Sequence, residues 1–466
     1  MLFNSLEYLL FLPIVFAIYW LPRNRLKLQN AFVVLASYVF YGWWDWRFLI
    51  LIAITSFCSW GSGLLIVKSQ ESMALARSKF WLVVNIVLNL GILAIFKYYD
   101  FYVSEFGALF GISTESLLLR IILPVGISFY TFQALSYSTD VYRGKIEPTK
   151  DIIAFFAFIS FFPQLVAGPI ERATNLLPQF LQKRTFDYEQ GVDGMRQILW
   201  GLFKKIVIAD NCAVYVDQVW ATYDTQSGSV LLLAAILFTF QIYCDFSGYS
   251  DIAIGTAKLF GIKLMRNFNN PYFSRDIAEF WRRWHISLTS WFRDYIYIPM
   301  GGNRQGLWRT IYNTLIVFLI CGLWHGANWT YLVWGLYNVV LFLPLILMGK
   351  SRRYKDSPMV WTQLLQMVLT FVLVTIGWII FRAPSLPDAW GYVCAMTNMS
   401  GTSPVMPITH WVGIILGLLT MIAFEWLGRN SDQAPIPHRW WIYYILIAAI
   451  WWYAPSFSTD FIYFQF

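Results

Sequence analysis

A histidine inside a hydrophobic run is the residue whose type and position most clearly allow chemistry in this sequence. His325 lies in the stretch Cys321-Gly-Leu-Trp-His-Gly-Ala-Asn-Trp329, between two apolar segments. An ionisable group in such surroundings is usually functional, and the structural alternative is a neutral imidazole hydrogen-bonded between two helices. Gly322 and Gly326 flank the histidine and would allow a backbone or a ligand to approach closely. The sequence therefore predicts that His325 is catalytic.

The chain has four histidines, and the second candidate among them is His285. It ends the run Glu279-Phe-Trp-Arg-Arg-Trp-His285, where it either shares the chemistry or is a solvated residue at an interface. His410 and His438 are expected in loop or interfacial positions, without a role. The sequence contains no HExxH, Walker or GxSxG motif, and neither candidate begins an HxxxxD motif. We predict a lone histidine acting as general base on a hydroxyl group, with no metal and no tightly bound cofactor.

The composition defines the environment of these residues. Of the 466 residues, 58% are hydrophobic and 13% are Asp, Glu, Lys or Arg, which is about half the charged share of a soluble domain. Continuous apolar runs recur, and many have the roughly 20 residues that a helix needs to cross a bilayer. Because lipid offers no partners to backbone groups, such runs predict transmembrane helices. The net charge of +8 lies mainly in short loops, which is typical of a membrane protein and not of a nucleic-acid-binding protein.

We expect an all-α polytopic membrane protein that forms a single membrane domain over residues 1–466. It should have roughly 11–13 transmembrane helices, with re-entrant or interfacial helices around a central tunnel. The first apolar run lacks the features of a cleaved signal peptide, so it predicts a retained helix. The five cysteines are scattered, and four of them lie within apolar stretches, which favours small buried side chains over disulfides or a metal site. The candidate spans are 6–21, 29–50, 51–67, 80–98, 118–136, 152–166, 195–210, 229–246, 312–324, 327–349, 360–381, 411–427 and 440–455.

The charges in the loops predict an orientation in the membrane. The basic loop after the first span is expected on the cytoplasmic side, which places the N-terminus outside. The segment 258–310 holds nine Lys or Arg against three acidic residues, so it is also expected inside. Continued along the chain, this alternation places the loop 382–410 outside. The tail segment, residues 456–466, is likewise predicted to be extracytoplasmic.

One part of the basic segment, residues 266–310, has an unusual composition. Trp281, Trp284 and Trp291 alternate with arginines along it. This pattern is typical of an amphipathic or re-entrant helix that lies at a membrane interface with snorkelling cations. We therefore expect this segment at the cytoplasmic interface.

Taken together, these motifs resemble those of the membrane-bound O-acyltransferase (MBOAT) family. Within it, they resemble the bacterial branch of alginate O-acetyltransferase membrane proteins. The matching stretches follow one another in the family's order along most of the chain. They are Val125-Gly-Ile-Ser-Phe-Tyr-Thr-Phe-Gln-Ala-Leu-Ser136 with Asp140-Val-Tyr-Arg143, Phe162-Pro-Gln-Leu-Val-Ala-Gly-Pro169, Asp245-Phe-Ser-Gly-Tyr-Ser-Asp251, Phe280-Trp-Arg-Arg-Trp-His-Ile-Ser287, Arg293-Asp-Tyr, Pro299 to Arg304 and Trp324-His-Gly-Ala-Asn-Trp329.

The resemblance implies an O-acetyltransferase of the bacterial cytoplasmic (inner) membrane. Family members transfer an acyl group from a cytoplasmic thioester to a hydroxyl acceptor, which implies acetyl-CoA as the donor here. The family's catalytic histidine matches His325, and a second histidine matches His285. In the bacterial branch the acyl group crosses the membrane through the protein. A separate extracytoplasmic esterase-like partner then places it on a cell-surface polysaccharide, which the sequence does not identify.

Other residues near the histidines are candidates for binding the substrate. Asn328 is a candidate donor to the oxyanion of a reacting thioester, and Trp324 is counted with it as a substrate-binding candidate. Arg282 and Arg283 are candidates for the phosphates of acetyl-CoA. For each arginine the alternative is ordinary positive charge on the cytoplasmic side.

The tail segment suggests how the acyl group is received. It closes with Phe461-Ile-Tyr-Phe-Gln-Phe466. This resembles the F-x-Y-x-x-F motif of the small membrane partner in teichoic-acid D-alanylation, in which the tyrosine is an acyl carrier. We hypothesise that the Tyr463 phenol takes the acetyl group with His325 as base. The alternative is an aromatic anchor at the membrane interface.

Two other functions remain open from the sequence. One is transfer of a different acyl group, such as D-alanyl from a carrier protein. The other is a membrane transporter or a scaffold without acyl chemistry. The lack of an inverted repeat and the expected lack of charges within the spans argue against a transporter.

Overall fold

The computed structural model describes residues 1–22, 25–166, 168–355, 357–398, 400–431, 434–454 and 461–462. Within these ranges the protein consists of helices and their connections, and no β-strand is formed in them. A single isolated bridge pairs Gln226 with Thr402. The predicted all-α class is confirmed.

The described residues form nineteen α-helices. The first ten are α1 (Leu6–Trp20), α2 (Leu26–Asp45), α3 (Leu49–Glu71), α4 (Leu75–Phe110), α5 (Ile127–Tyr142), α6 (Ile152–Ser160), α7 (Phe162–Leu165), α8 (Ala173–Leu181), α9 (Tyr188–Leu202) and α10 (Asp210–Ala221). The other nine are α11 (Gly228–Leu259), α12 (Ile277–Arg283), α13 (Ile286–Phe292), α14 (Leu307–His325), α15 (Trp329–Leu347), α16 (Leu364–Arg382), α17 (Leu386–Ala395), α18 (Ile408–Leu427) and α19 (Trp440–Tyr453). The short 3₁₀ helices are Trp46–Phe48, Glu115–Leu117, Tyr223–Thr225, Pro271–Phe273 and Trp361–Gln363. Two segments are π-helical. Phe203–Ala209 joins α9 to α10, and Arg293–Tyr297 extends α13.

Seven helical segments of the described chain are long and apolar enough to cross a membrane. One of them, Leu26–Glu71, contains both α2 and α3, and α1 and α19 are shorter apolar helices. The chain is therefore a multi-pass membrane protein. The number of crossings and the central tunnel stay predictions. The other six long segments are Leu75–Phe110, Gly228–Leu259, Leu307–His325, Trp329–Leu347, Trp361–Arg382 and Ile408–Leu427.

The chain divides into two compact units. One unit comprises residues 1–195 and 253–265, and the other comprises residues 196–252 and 266–466. The boundaries fall within α9, within α11 and between residues 265 and 266, after α11 has ended. The sequence prediction of one membrane domain over the whole chain stays a prediction.

The first unit packs apolar helices through small and polar side chains. Ser59 on α3 donates to Asn85 on α4 at 3.0 Å, and Asn85 donates to Ser138 on α5 at 2.5 Å. A Cβ atom on Gly63 of α3 would lie 2.5 Å from the hydroxyl of Tyr137 on α5, so these helices meet closely. Small residues and polar pairs of this kind hold helices together where the surroundings are apolar.

In the second unit, α14 and α15 form a tightly packed helical hairpin. A Cβ atom on Gly322 of α14 would lie 2.3 Å from the backbone oxygen of Tyr331, and one on Gly335 of α15 would lie 2.5 Å from that of Phe318. A side chain at either position would push the two backbones apart. The glycines of the histidine motif therefore serve the approach of α15.

The predicted span 195–210 differs most from expectation. It forms the end of α9 and the π-helical segment, and the latter is buried in the protein. It also carries Lys204 and Lys205, whose side chains are 3% and 1% exposed. The expectation that the spans lack charges was therefore wrong here. Each lysine is paired with carboxylates, which is how buried charges are tolerated.

Candidate active site

His285 lies in a sharp turn between two short helices. Asp276 begins α12 by accepting the backbone N–H of Glu279 at 2.7 Å, and the helix ends at Arg283. His285 then has a φ of 44°, and α13 begins at Ile286. This left-handed conformation is uncommon for any residue other than glycine, and it occurs where the surrounding structure compensates the strain.

The loop that precedes α12 holds this turn in place. The Ile286 N–H donates to the Asn267 carbonyl oxygen at 2.8 Å, and the Asn269 N–H donates to the Arg283 carbonyl oxygen at 2.9 Å. One bond lies on each side of His285. The loop before α12 therefore fixes the backbone on both sides of the histidine through hydrogen bonds.

The His285 imidazole is oriented by a buried amide. Its Nδ1 lies 3.0 Å from Asn267 Oδ1, which also accepts the Ser287 hydroxyl at 2.8 Å. The Asn267 amide nitrogen donates to Ser250 Oγ at 3.0 Å, which is consistent with this assignment of the amide. Because an amide oxygen only accepts, Nδ1 carries the proton and Nε2 carries the lone pair.

This assignment leaves the second ring nitrogen of His285 as a buried hydrogen-bond acceptor. The Nε2 atom of His285 is buried and has no hydrogen-bond partner among the described residues. Burial lowers the pKa of His285 to about 3, so the imidazole is neutral at physiological pH. Nε2 can therefore accept a hydrogen bond from a hydroxyl group that enters the site.

His325 is the last residue of α14 and lies among aromatic rings. It is 6% exposed. Its ring centroid is 5.3 Å from that of Trp334 on α15 and 5.2 Å from that of Phe381 on α16. A Cβ atom on Gly326 would lie 2.2 Å from the ring of Tyr331, so this glycine lets α15 begin directly beside the histidine. The α14–α15 hairpin thus positions His325 in a largely apolar site.

Trp324 connects the two histidines. Its ring centroid is 5.1 Å from that of His325 and 6.0 Å from that of His285. The ring of Phe246 on α11 packs edge-on against His285 with centroids 4.7 Å apart. The structure therefore brings together three of the predicted site residues, His285, Trp324 and His325.

The remaining predicted residues are placed differently. Asn328 caps α15, its side chain accepting from the Thr330 N–H at 3.0 Å and donating to the Pro384 oxygen at 2.8 Å. Arg282 donates to the Ser351 oxygen at 2.8 Å. Tyr463 lies outside the described residues. The roles proposed for these residues stay predictions.

Arg283 belongs to a buried ion-pair network. Glu279, whose side chain is 1% exposed, lies 2.9 Å from guanidinium nitrogens of both Arg275 and Arg283. Burial opposes the charge of Glu279, but hydrogen bonds from Arg275 and the charges of both arginines hold its pKa below the usual value. Arg283 is thus already paired within the protein, and its part in phosphate binding stays a prediction.

Asn267 and Ser287 were missed as site residues by the sequence analysis. Asn267 is separated from His285 by 18 positions, and no fixed spacing connects an orienting amide with a histidine. The available signal was weak, because Asn267 opens a polar stretch that also contains Asn269 and Asn270. Ser287 follows His285 closely and lies inside the Phe280–Ser287 motif.

Comparison with known proteins identifies the family of this chain. A model of the membrane-bound O-acyltransferase family matches residues 148–383, which include both histidines. The probable alginate O-acetylase AlgI of Pseudomonas aeruginosa is 41% identical over 444 residues, covering 93% of this chain and 83% of that protein. The peptidoglycan O-acetyltransferase of Helicobacter pylori is 34% identical over 464 residues, covering 93% and 84%. The teichoic acid D-alanyltransferase of Bacillus subtilis is 31% identical over 274 residues, covering 55% and 68%.

The helical membrane fold and these matches identify a membrane-embedded acyltransferase. The chain belongs to the membrane-bound O-acyltransferase family. It is a multi-pass membrane enzyme that transfers an acyl group to a hydroxyl.

Proposed function

We propose that this enzyme takes acetyl from acetyl-CoA at the cytoplasmic side and passes it across the membrane for O-acetylation of a cell-surface polysaccharide. The observation that carries the proposal is the pair of buried histidines connected by Trp324 at the end of an apolar helix. The names of the relatives support acetyl as the group transferred. Two O-acetyl-transferring relatives align with 93% of this chain, whereas the D-alanyltransferase aligns with 55%.

In the first step His325 acts as the general base. It takes the proton of the Tyr463 phenol while the phenol oxygen attacks the thioester carbonyl carbon. The C–S bond then breaks, and the proton passes from His325 to the departing thiolate. The products are an acetyl ester on Tyr463 and free coenzyme A. An aromatic site that holds little water protects this ester from hydrolysis.

His285 has a different task in this scheme. Its Nδ1 is committed to Asn267, so only Nε2 is available to the reacting groups. Burial keeps this imidazole neutral, so Nε2 retains its lone pair and can accept a hydrogen bond. We assign it to orienting the hydroxyl that attacks. Trp324 is assigned to contacting the acyl group, since its ring lies between the histidines.

Other residues would stabilise the donor. The Asn328 amide is the candidate for stabilising the oxyanion of the tetrahedral intermediate, once it exchanges its contact with the Pro384 oxygen. Arg282 and Arg283 are the candidates for the coenzyme phosphates. These two arginines are the last residues of α12 and follow its buried residues, just before the turn at His285.

The second step takes place outside. A hydroxyl of an extracytoplasmic esterase-like partner attacks the acetyl ester, which releases the Tyr463 phenol for another cycle. The partner then transfers acetyl to a polysaccharide hydroxyl. This order requires the tail segment to be extracytoplasmic and the basic segment 258–310 to be inside. We place the protein in the bacterial inner membrane, with its N-terminus extracytoplasmic on the basis of the loop charges.

The test is incubation of purified protein with isotope-labelled acetyl-CoA, followed by mass spectrometry of its peptides. Label on the peptide with Tyr463, absent in the His325→Ala variant, is the expected result. In cells, Tyr463→Phe should abolish polymer acetylation at normal protein abundance. Wild-type acetylation in that variant would contradict the carrier role, and full activity of His325→Ala would contradict the base.

Transfer of D-alanyl from a carrier protein is the second candidate. It is supported by the alignment with the teichoic acid D-alanyltransferases, which reaches 31% identity. Labelled D-alanyl carrier protein, offered in the same assay, separates the two donors. A transporter or scaffold without acyl chemistry would leave no label from either donor.

A further inference from the structure

The described part of the tail segment is buried in the protein. Phe461 and Ile462 are 0% and 2% exposed. The Phe461 ring packs on two rings of α11, with centroid distances of 4.3 Å to Tyr249 and 5.9 Å to Phe246. A large aromatic side chain buries much apolar area, so moving it into water is unfavourable. The Phe461 ring therefore anchors its part of the chain. Phe461 and Ile462 are thus held against α11.

A buried ion pair holds the backbone of the same segment. Asp245 Oδ2 accepts the Ile462 N–H at 2.6 Å, while its Oδ1 lies 2.8 Å from the Lys205 ammonium. Lys205 also lies 2.8 Å from Asp210. The side chains of Asp245 and Lys205 are 4% and 1% exposed. A carboxylate that is charge-balanced on one oxygen keeps the other for a strong hydrogen bond to a backbone N–H.

Two consecutive residues of α11 thus connect the tail segment with the histidine site. Asp245 binds the backbone of Ile462, and Phe246 packs against Phe461 on one side and edge-on against His285 on the other. Tyr463 is the next residue along the chain after Ile462.

We propose that Asp245, held by Lys205, is the docking residue for the tail segment, and that with Phe246 and Tyr249 it forms the site that delivers Tyr463 to the histidines. This inference rests on the proposed function of Tyr463 as acyl carrier. Asp245 is a positioning residue, because it acts through the backbone of Ile462 and not on the reacting atoms. The docking site binds this chain's own peptide through one backbone bond and one aromatic anchor.

Docking is measured by placing a cysteine at position 462. The Ile462→Cys variant keeps the backbone N–H, and its reaction with a thiol reagent is followed by peptide mass spectrometry. Adding Asp245→Ala should speed the labelling of this cysteine at least about tenfold, since a hydrogen bond to a charged group is lost. The matched control is Asp251→Asn on the same helix, which breaks a pair with Lys204 at 2.6 Å instead. The control should label as slowly as Ile462→Cys alone.

A second variant covers the case in which Asp245→Ala fails to fold. Phe461→Ala leaves the ion pair intact and should speed labelling in the same way. Unchanged labelling in both variants would overturn the docking site.

Activity separates docking from a general structural role. Asp245→Ala should lower kcat for acetyl transfer with an unchanged KM for acetyl-CoA, because Asp245 contacts the tail segment. A raised KM with normal kcat would overturn the positioning role. Normal polymer acetylation in the Tyr463→Phe variant would instead refute the role of Tyr463 as acyl carrier. The labelling rates of the cysteine at position 462 would still show whether Asp245 docks the tail segment.

Discussion

At the scale of single residues, the two histidines differ in what surrounds them. His325 contacts Trp324, Trp334 and Phe381. His285 is oriented by the Asn267 amide. The sequence identified His325 because an ionisable group within an apolar run is conspicuous. It did not identify Asn267, because the contact depends on a left-handed turn at His285 that brings distant residues together.

The first prediction concerns this amide. Asn267→Ala should lower acetyl transfer by about 10- to 100-fold, the equivalent of one lost buried hydrogen bond. The rate is measured with labelled acetyl-CoA on purified protein. The control is Ser290→Ala, because the Ser290 hydroxyl donates to the Ser287 backbone oxygen at 3.0 Å and not to the imidazole. Equal rates in the two variants would refute an orienting role for Asn267.

The second prediction concerns pH. The pKa of His285 is about 3 in the folded protein and is expected near 6.5 in the unfolded chain. The unfolded chain therefore binds a proton that the folded protein excludes, so stability is unaffected above pH 6.5 and falls as the pH is lowered towards 3. At pH 5 the loss should be about 2 kcal/mol.

The measurement is the thermal midpoint of detergent-solubilised protein between pH 7 and pH 5. His285→Asn is the comparison, because asparagine tolerates the left-handed conformation and does not titrate. The parent should lose more stability than this variant on acidification. Parallel pH curves for both proteins would show that His285 is not buried as described.

At the scale of helices, the α14–α15 hairpin determines where His325 lies. The apolar character of both helices was evident from the sequence, and both were predicted as spans. The glycines beside His325 were predicted to let a backbone or a ligand come close, and the structure confirms the approach of a backbone at Gly322; the sequence did not show that this backbone belongs to α15. The structure assigns Gly322 and Gly326 to contacts with Tyr331. Sequence windows also could not separate burial in protein from burial in lipid, so the largely buried run 195–210 was predicted as a span.

The hairpin gives the third prediction. Gly322→Ala places a methyl group 2.3 Å from the Tyr331 backbone oxygen and should destabilise the protein by about 1–3 kcal/mol, the usual cost of overpacking. Acetyl transfer should fall with it, since His325 lies one turn further along α14. Thermal midpoint and transfer rate are the measurements. Gly91→Ala on α4, where no atom lies within 4 Å of the added carbon, should be harmless; a similar loss in both would contradict the packing argument.

At the scale of the whole molecule, the multi-pass architecture follows from the composition. The orientation in the membrane is predicted from loop charges alone, because the apolar composition of a helix does not indicate which of its ends is cytoplasmic. Cys394 tests it, since this thiol is exposed and lies in the predicted extracytoplasmic loop 382–410. Cys321 and Cys244 are buried and serve as internal controls.

The fourth prediction follows from that cysteine. A membrane-impermeant thiol reagent added to intact cells should label Cys394, because the predicted orientation exposes it outside the inner membrane. Peptide mass spectrometry identifies the labelled position. Labelling that occurs only after the cells are lysed would reverse the orientation, and with it the side on which acetyl-CoA is predicted to bind.

The π-helical segment Phe203–Ala209 has a consequence for insertions and deletions. Its final hydrogen bond runs from the Asp210 N–H to the Lys205 carbonyl oxygen, five positions apart, whereas an α-helix spans four. This wider turn puts the side chains of Lys205 and Asp210 on one face, where they meet at 2.8 Å. Since a π-helical turn accommodates one extra residue within a helix, removing one residue between Lys205 and Asp210 would let the segment form an ordinary α-helical turn, with the pair four positions apart and still on one face. The segment is therefore expected to tolerate a one-residue deletion better than an ordinary α-helix, in which losing one residue rotates everything beyond it by roughly 100°.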